Sequence, residues 1–465
     1  MARPKNVGIK GIEVYFPNQY VDQAELETYD GVSQGKYTVG LGQTRMSFCD
    51  DREDTYSLAL TAVSFLLRKY NIDPSSIGRL EVGTETILDK SKSVKSVLMQ
   101  LFEGHNTNIE GADTYNACYG GTNALFNAVN WIESSAWDGR DAIVVAADIA
   151  AYDTDRAKPT GGAGSVAMLI GINAPLKIEP GLRGNYMRHT YDFYKPDFSK
   201  EYPYVDGHLS LRCYGEALDG CYNAYLAREK VLSVNGTNGQ THDDGTENDA
   251  EFDSGKPASV ESPADRFDYM CFHSPTCKTV MKSYARLYFN DFLADPTSAM
   301  FKDVPPELKD TANEAEINRH FLPLTKKRFG QRVQPATHLP SQCGNMYTAS
   351  LYSSLCSLLT FGTSTQLKGK TIGMFSYGSG LSSSMFSLKV VGSVEEMKSK
   401  LDLVARLEAR KQASPEAYQE ARNRRDFLYG KKGHLPTGSV EHLSKGTYYL
   451  AEVDEMYRRA YRVKG

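Results

Sequence analysis

Asp113-Thr-Tyr-Asn-Ala-Cys-Tyr-Gly-Gly-Thr-Asn-Ala-Leu-Phe-Asn-Ala-Val-Asn-Trp-Ile132 is the stretch from which the fold follows. Asp113 to Ala117 reads as extended chain. Beyond it Ala124, Leu125, Ala128, Val129 and Ile132 recur at helical spacing. A strand therefore runs into Cys118 and a helix runs out of it. The pattern repeats outward. Asp141 to Ala147 and Ser165 to Ile170 have the length and character of buried strands. Upstream, Val7 to Phe16 is a first strand, closed by Pro17-Asn18. Asp54 caps a helix from Thr55 to about Tyr70, which Asn71 and Pro74 end. Arg79 to Thr84 is a short strand. Ser91 to Phe102 is a helix with Val94, Val97, Leu98, Leu101 and Phe102 on one face. Strands alternating with helices predict an α/β fold, a mixed sheet with helices on both faces.

Residues 234–265 break this pattern. They carry Asp243, Asp244, Glu247, Asp249, Glu251, Asp253, Glu261 and Asp265 against Lys256, with Phe252 as the large apolar anchor. Such a segment buries too little to order itself, and a disordered, solvated insertion is expected. It separates an N-terminal half, 1–230, carrying Glu85 and Cys118, from a C-terminal half, 266–465, carrying His273, Asn345 and Ser379. In the latter, Arg266 to Cys271 is strand-like and Gly344-Asn345 opens a helix. Thr371 to Tyr377 is a strand ending in Gly-Ser-Gly, and Val394 to Arg425 is charged and helical. Landmarks recur in order: a strand ending in Glu85 or His273, a helix opened by Cys118 or Asn345, a buried strand ending near Asp148 or Ser379. This points to a duplicated architecture.

Composition narrows the function. The chain has 465 residues, with 53 Lys+Arg against 57 Asp+Glu. This length suits two domains or two fused halves. The slightly acidic balance argues against nucleic acid and against a polybasic membrane anchor. No apolar run approaches the roughly 20 residues of a membrane span. The N-terminus enters apolar alternation at Val7, leaving no room for a leader, and the C-terminus carries no lipidation signal. A cytoplasmic location is expected. The cysteines, at 49, 118, 213, 221, 271, 277, 343 and 356, form no C-x-x-C pair and should be reduced thiols. No H-E-x-x-H motif occurs.

Several residues could do chemistry. A thiol at a helix start, as Cys118 is placed, feels the helix dipole, which can bring a cysteine pKa to ~3.5–7.5. A lone cysteine is more often an inert buried one. The strand-Cys-Gly-Gly-helix context favours a nucleophile, with Gly120 and Gly121 allowing close packing. Glu85, at a strand end, could be desolvated into a general acid/base or be an ordinary surface glutamate. His273 could orient a carbonyl or be structural. Lys278 and Lys282, at helical spacing, suit a phosphate-bearing ligand or simply a solvated face. Asn345 and Ser379 could supply oxyanion donors, or serve as a helix cap and a tight turn. Gly161-Gly-Ala-Gly lacks the spacing of a nucleotide fingerprint, and no G-x-S-x-G elbow is present.

Longer motifs add a resemblance. Gly78 to Lys95, Asn116 to Thr122, Asn130-Trp-Ile-Glu-Ser and Pro159-Thr-Gly-Gly resemble the eukaryotic hydroxymethylglutaryl-CoA synthases. So do Tyr191-Asp-Phe-Tyr-Lys-Pro, Phe272-His-Ser-Pro, Gly344-Asn-Met-Tyr-Thr and Ser376-Tyr-Gly-Ser-Gly. The similarity covers nearly the whole chain. The acidic insertion and the loop Arg156-Ala-Lys-Pro-Thr depart from the family pattern.

The resemblance implies a thiolase-like five-layered α/β/α/β/α sandwich of two similar halves, as a homodimer. It implies that acetyl-CoA acylates a cysteine and that the acetyl methyl is deprotonated. The resulting carbanion attacks acetoacetyl-CoA, and hydrolysis releases 3-hydroxy-3-methylglutaryl-CoA for the mevalonate route. Carried over by motif, Cys118 is the nucleophile, Glu85 the general acid/base and His273 the anchor of acetoacetyl-CoA. Ser33, Gln34, Lys36, Arg156, Thr160, Ser210, Lys278, Lys282, Asn345 and Ser379 fall where the family contacts the CoA thioesters. Tyr119, Asp148, Asp192 and Tyr347 fall at positioning sites. No metal or redox cofactor is implied, because a thioester already acidifies its methyl group. Other thiolase-fold enzymes pair their cysteine with a second Cys or with His-His or His-Asn, unlike Glu85, Cys118 and His273. A non-enzymatic scaffold would leave Cys118 unreactive.

Overall fold

The computed structural model describes residues 4–154, 157–237, 261–311 and 313–465. Nine strands form one mixed sheet: β1 Gly8–Tyr15, β2 Ile77–Thr84, β3 Asp113–Tyr115, β4 Asp141–Ala150, β5 Gly162–Gly171, β6 Leu176–Met187, β7 Tyr269–Phe272, β8 Thr371–Gly378 and β9 Ser382–Val390. Their spatial order is β7-β8-β9-β6-β1-β5-β4-β2-β3. Near the middle, β1 and β6 share only the pairs Gly8↔Lys177 and Ile9↔Leu176. This narrow junction divides the sheet into two lobes.

The lobes repeat one topology. In the first, β2 runs parallel to β4, β4 antiparallel to β5, and β5 antiparallel to β1. In the second, β7 runs parallel to β8, β8 antiparallel to β9, and β9 antiparallel to β6. The duplicated order of landmarks thus has a structural counterpart. The dividing point differs from the expected one. Residues 176–230 belong to the second lobe, because β6 zips along β9 and helix Gly207–Thr237 packs on both strands. An interruption in composition marked an insertion, while hydrogen-bond pairing sets the lobes.

Seven of the helices organise the layers: α1 Thr55–Lys69, α2 Gly120–Ile132, α3 Gly207–Thr237, α4 Cys277–Ala294, α5 Glu314–Arg332, α6 Ser350–Phe361 and α7 Pro415–Leu428. α1 covers the outer face of the first lobe, and α3 and α4 that of the second. α2 and α6 lie between the lobes. The result is α/β/α/β/α, with three apolar seams. Strand alternation builds them. In β4, Ala142, Val144 and Ala146 face the central seam, while Ile143, Val145, Ala147 and Ile149 face the seam under α1. In β9, Phe386, Leu388 and Val390 face the centre and Met385 faces α3. Asp54 caps α1 with a reciprocal capping box to Ser57, as its sequence suggests.

Other expectations shift. The helix expected over 91–102 is a short α-helix, Val94–Leu98, tightening into a 3-10 turn at Met99–Leu101. Gly344 ends one helix instead of opening the next. Its φ of +79° terminates His338–Cys343, and α6 begins at Ser350. The segment 394–425 is broken into Glu395–Leu401, Leu403–Glu408 and α7, with a short strand Lys411–Ala413 between them.

The acidic insertion is narrower than expected. Residues 234–237 continue α3, and residues 238–260 lie outside the described residues, as does Arg156. Asp265 is not solvated linker, whereas Glu261 stays exposed. Asp265 is buried, 3.2 Å from Arg328 and 2.9 Å from Arg332, and Glu261 pairs with Arg328. Buried charge demands partners, and two arginines of α5 supply them.

Candidate active site

Cys118 sits in the turn between β3 and α2. Its φ is +51°, a left-handed conformation that costs a non-glycine residue about 1–2 kcal/mol. The turn is tight: the Tyr119 amide donates to the Ala117 carbonyl at 2.6 Å. Glycines permit the crowding. A Cβ on Gly120 would lie 2.6 Å from the Thr114 carbonyl, and one on Gly121 2.7 Å from the Thr348 carbonyl. Tyr119 caps α2 without a side-chain bond, and its hydroxyl meets Ser384 of β9 at 2.7 Å.

Glu85 follows the end of β2 and is buried. Its Oε1 accepts from the Cys118 amide at 2.9 Å and faces the Cys118 thiol at 3.4 Å. Its Oε2 is 3.2 Å from Lys195 Nζ. Burial raises the Glu85 carboxyl above the usual range, and Lys195 opposes that rise. The lowered thiol pKa expected for Cys118 is not found. Burial pushes the thiol well above the ordinary cysteine range, and the Glu85 and Asp148 carboxylates push it further. Helix-dipole reasoning omitted desolvation and two facing anions. Proton transfer from the thiol therefore needs an adjacent base.

Asp148 in β4 fixes this arrangement. Its Oδ1 accepts from the Glu85 amide at 2.8 Å, the Thr86 amide at 3.0 Å, and the Thr84 and Thr86 hydroxyls at 2.8 Å each. Its Oδ2 accepts from the Thr348 amide at 3.0 Å and from the Thr348 hydroxyl. One carboxylate thus ties Glu85 to the chain entering α6 in the other lobe.

The second lobe contributes a different chemistry. His273 follows β7 with its amide donating to Phe375 at 2.8 Å and its carbonyl accepting from Tyr214 Oη at 2.7 Å. Burial alone lowers the imidazole from 6.5 to about 3, so it is neutral near pH 7. Its Nδ1 is buried with no hydrogen-bond partner among the described residues. The ring lies nearly parallel to that of Tyr377. Tyr377 Oη and the Gly380 amide each donate to Asp192 at 2.9 Å, which anchors both sides of Ser379. A Cβ on Gly378 would lie 1.7 Å from the Ala117 carbonyl, so only glycine lets this turn touch the Cys118 loop.

Asn345 is buried, with Oδ1 accepting from the Tyr347 amide at 2.8 Å and its own amide donating to Gly161 at 3.1 Å. Tyr347 meets Tyr152 and Phe193 edge-on, and Lys195 Nζ lies over its ring at 4.7 Å. A cleft of about 280 Å³ opens beside this cluster. Glu85, Ser379, Lys195, Phe193, Glu201 and Tyr429 are among its walls, and Cys118 lies one hydrogen bond behind Glu85.

Two family models divide the chain between them. Hydroxymethylglutaryl-coenzyme A synthase N terminal matches residues 3–175, and Hydroxymethylglutaryl-coenzyme A synthase C terminal matches residues 176–464. The chain belongs to the hydroxymethylglutaryl-CoA synthase family. The boundary between the two matches is the start of β6, where the sheet also divides. A hydroxymethylglutaryl-CoA synthase of Zymoseptoria tritici is 62% identical, covering 100% of this chain and 99% of the relative. That of Saccharomyces cerevisiae is 52% identical, covering 100% of this chain and 91% of the relative. Among solved structures, MvaS in complex with 3-hydroxy-3-methylglutaryl coenzyme A is similar at a TM-score of 0.84 and 33% identity, over 100% of both chains. The fold is thiolase-like, and the chain is an enzyme of this synthase class. It condenses acetyl-CoA with acetoacetyl-CoA and water to give 3-hydroxy-3-methylglutaryl-CoA and CoA.

Of the remaining expected contacts of the synthase, Thr160 borders this cluster and the other described ones lie outside it. Ser33, Gln34 and Lys36 are exposed on a loop gathered by Glu27, whose carboxylate accepts from the Gly35, Tyr37 and Thr38 amides. That loop docks on the start of α4, where the Lys278 amide donates to Leu41 at 2.9 Å. Lys278 and Lys282 form no ion pair among the described residues, so this corner carries unpaired positive charge. Thr160 lies beside Gly161 and Asn345, with its hydroxyl on the Ala157 carbonyl at 2.6 Å. Ser210 is in the first turn of α3, held through its amide by Asp206. Sequence reading missed Lys195, Thr348, Tyr214 and Tyr377. Lys195 and Tyr377 stand in recognised motifs, but nothing local in the sequence reveals their partners.

Proposed function

We propose that this chain carries out the condensation through Cys118, Glu85 and His273. The observation that carries the reading is Glu85, with one oxygen on both the amide and the thiol of Cys118. The Glu85 carboxylate takes the thiol proton, and Cys118 Sγ attacks the acetyl-CoA carbonyl. CoA leaves as its thiol, taking that proton from Glu85, and an acetyl-cysteine forms, which splits a hard condensation into two easier steps and returns Glu85 to its anion. Glu85 then removes a methyl proton and returns a proton to the new alkoxide. Neutral His273 donates from its ring to a carbonyl of acetoacetyl-CoA, and its buried, unpartnered nitrogen supports a ligand contact. Asn345 supports His273, and the Ser379 amide faces the developing oxyanion, joined by the Cys118 amide once it is released from Glu85. Water finally cleaves the enzyme thioester.

The unpaired Lys278 and Lys282, with Ser33, Gln34 and Lys36, form the entry for the phosphate-bearing end of CoA. Thr160 and Ser210 line its route, and Arg156, outside the described residues, is a further CoA contact that the family resemblance implies. No cofactor takes part. The outer strand β3, with Tyr115 exposed, offers an unpaired sheet edge for a homodimer. No helix among the described residues is long and apolar enough to cross a membrane, which suits action in the cytoplasm.

Intact-protein mass spectrometry after incubation with acetyl-CoA alone tests the route. The expected result is one acetyl group on Cys118, discharged by acetoacetyl-CoA with release of the six-carbon product. An unmodified Cys118 in folded protein would reject it. In Glu85→Ala, acetylation should persist, slowed, while condensation falls by about 10²–10⁴-fold. Condensation near the wild-type rate would remove Glu85 from its role.

A further inference from the structure

Lys195 is the group nearest the proposed chemistry without a part in it. Its ammonium is 3.2 Å from Glu85 Oε2, on the side of the carboxylate away from Cys118. Its surroundings are apolar and aromatic, with Tyr347 at 4.7 Å and Phe193 at 5.5 Å beneath the charge. Asp148 and Glu201 also face it at longer range. Glu201 is itself fixed. Arg425 of α7 donates to both of its oxygens, at 2.7 and 2.6 Å, and to the Glu53 carbonyl at 2.7 Å. The segment carrying Lys195 is therefore clamped at its far end by the C-terminal helix.

We propose that Lys195 is a positioning residue that holds Glu85 as an anion, in a fixed plane, against the Cys118 loop. The proposal rests on the acid/base reading of Glu85. A buried carboxylate beside Asp148 would otherwise favour its neutral form, which cannot accept a proton. Lys195 compensates on Oε2 and leaves Oε1 to Cys118. It neither gains nor loses a proton in the cycle. When Glu85 takes the methyl proton, the C–H bond breaks, an O–H bond forms and the electron pair moves to the attacking carbon. The ammonium then faces a neutral acid, and the proton leaves again for the alkoxide. The other titratable groups around the pair are the Cys118 thiol and the Tyr152, Tyr347 and Tyr429 phenols. Burial raises all four.

The test is the pH profile of condensation on enzyme already acetylated at Cys118, in Lys195→Gln and Lys195→Arg. Removing the cation raises the Glu85 pKa. Lys195→Gln should therefore move the acid limb to higher pH by about 1–3 units, the usual range for an adjacent opposite charge. Lys195→Arg keeps the charge and should leave the limb within about half a unit of wild type, at reduced kcat. A uniform fall in kcat with an unmoved acid limb in Lys195→Gln would overturn the proposal. Should Lys195→Gln not fold, Lys195→Arg still decides, since a displaced limb despite retained charge contradicts it. Glu85→Gln, run in parallel, separates the two readings: normal condensation there defeats the acid/base role, whatever Lys195 does.

Discussion

The two lobes share strand order, yet equivalent positions hold opposite electrostatics. In the first lobe, the residue after β2 is Glu85, paired with Lys195 and beside Asp148 and Cys118. In the second, the residue after β7 is His273, neutral and among Tyr214, Tyr377 and Phe375. Both sites are buried. Burial alone would neutralise either group, and it does so for His273. Glu85 has a cation within 3.2 Å to oppose that effect. A duplicated fold thus supplies one buried site with a compensated carboxyl and one with an uncharged imidazole, the two chemistries that the proposed proton transfer and carbonyl contact call for.

Cys118→Ala should break the comparison most severely. With its proposed nucleophile gone, the first lobe should lose turnover by about 10⁶-fold, with no acetylated protein in the mass spectrum. Asp148→Ala should come next. It removes the acceptor shared by the Glu85, Thr86 and Thr348 amides and should cost on the order of 4 kcal/mol in chemical denaturation. If the lobes were held together independently of this carboxylate, the loss would stay below about 1 kcal/mol. His273→Asn should preserve acetylation of Cys118 and lower single-turnover condensation by about 10²–10³-fold. Equal damage to both steps would mean that the lobes do not divide the work.

A smaller effect is read from stability against pH. The folded-state pKa of His273, about 3, lies below the unfolded value of 6.5. The unfolded chain therefore binds this proton first as pH falls. The contribution is complete above about pH 6.5 and declines toward pH 3 by about 1.4 kcal/mol per unit. His273→Asn should flatten that part of the curve between pH 6.5 and 5, measured by denaturant melts. The smallest effect is expected outside both lobes. Replacing residues 238–260 by a Gly/Ser linker of equal length should leave kcat within about twofold, as their acidic, apolar-poor composition suggests. Extending the replacement through Asp265 should destabilise the fold, because that carboxylate pairs with Arg328 and Arg332.

Much of this site could be read locally. Glu85, Cys118 and His273 each end an apolar strand or open a helix, and such junctions display side chains at the edge of a sheet. Asp192 lies in a recognisable motif and Asp148 near the end of a buried strand, though their hydrogen bonds reach partners far along the chain. Asp148 meets Thr348, and Asp192 meets Tyr377 and Gly380. Asn345 was misplaced at a helix start because Gly344, read as an opener, is in fact a terminator at positive φ.

The sequence alone determined the alternation of strands and helices, the two-part order of landmarks and the candidates for the reactive side chains. Periodicity, caps and glycines act over a few residues and are written in the chain. Tertiary structure decided the lobe boundary at β6, the ion pair of Asp265 with α5, the raised thiol of Cys118 and the partnership of Glu85 with Lys195. Each depends on desolvation or on a contact between distant segments. The energy of a buried charge is set by everything packed around it, whatever its neighbours in sequence.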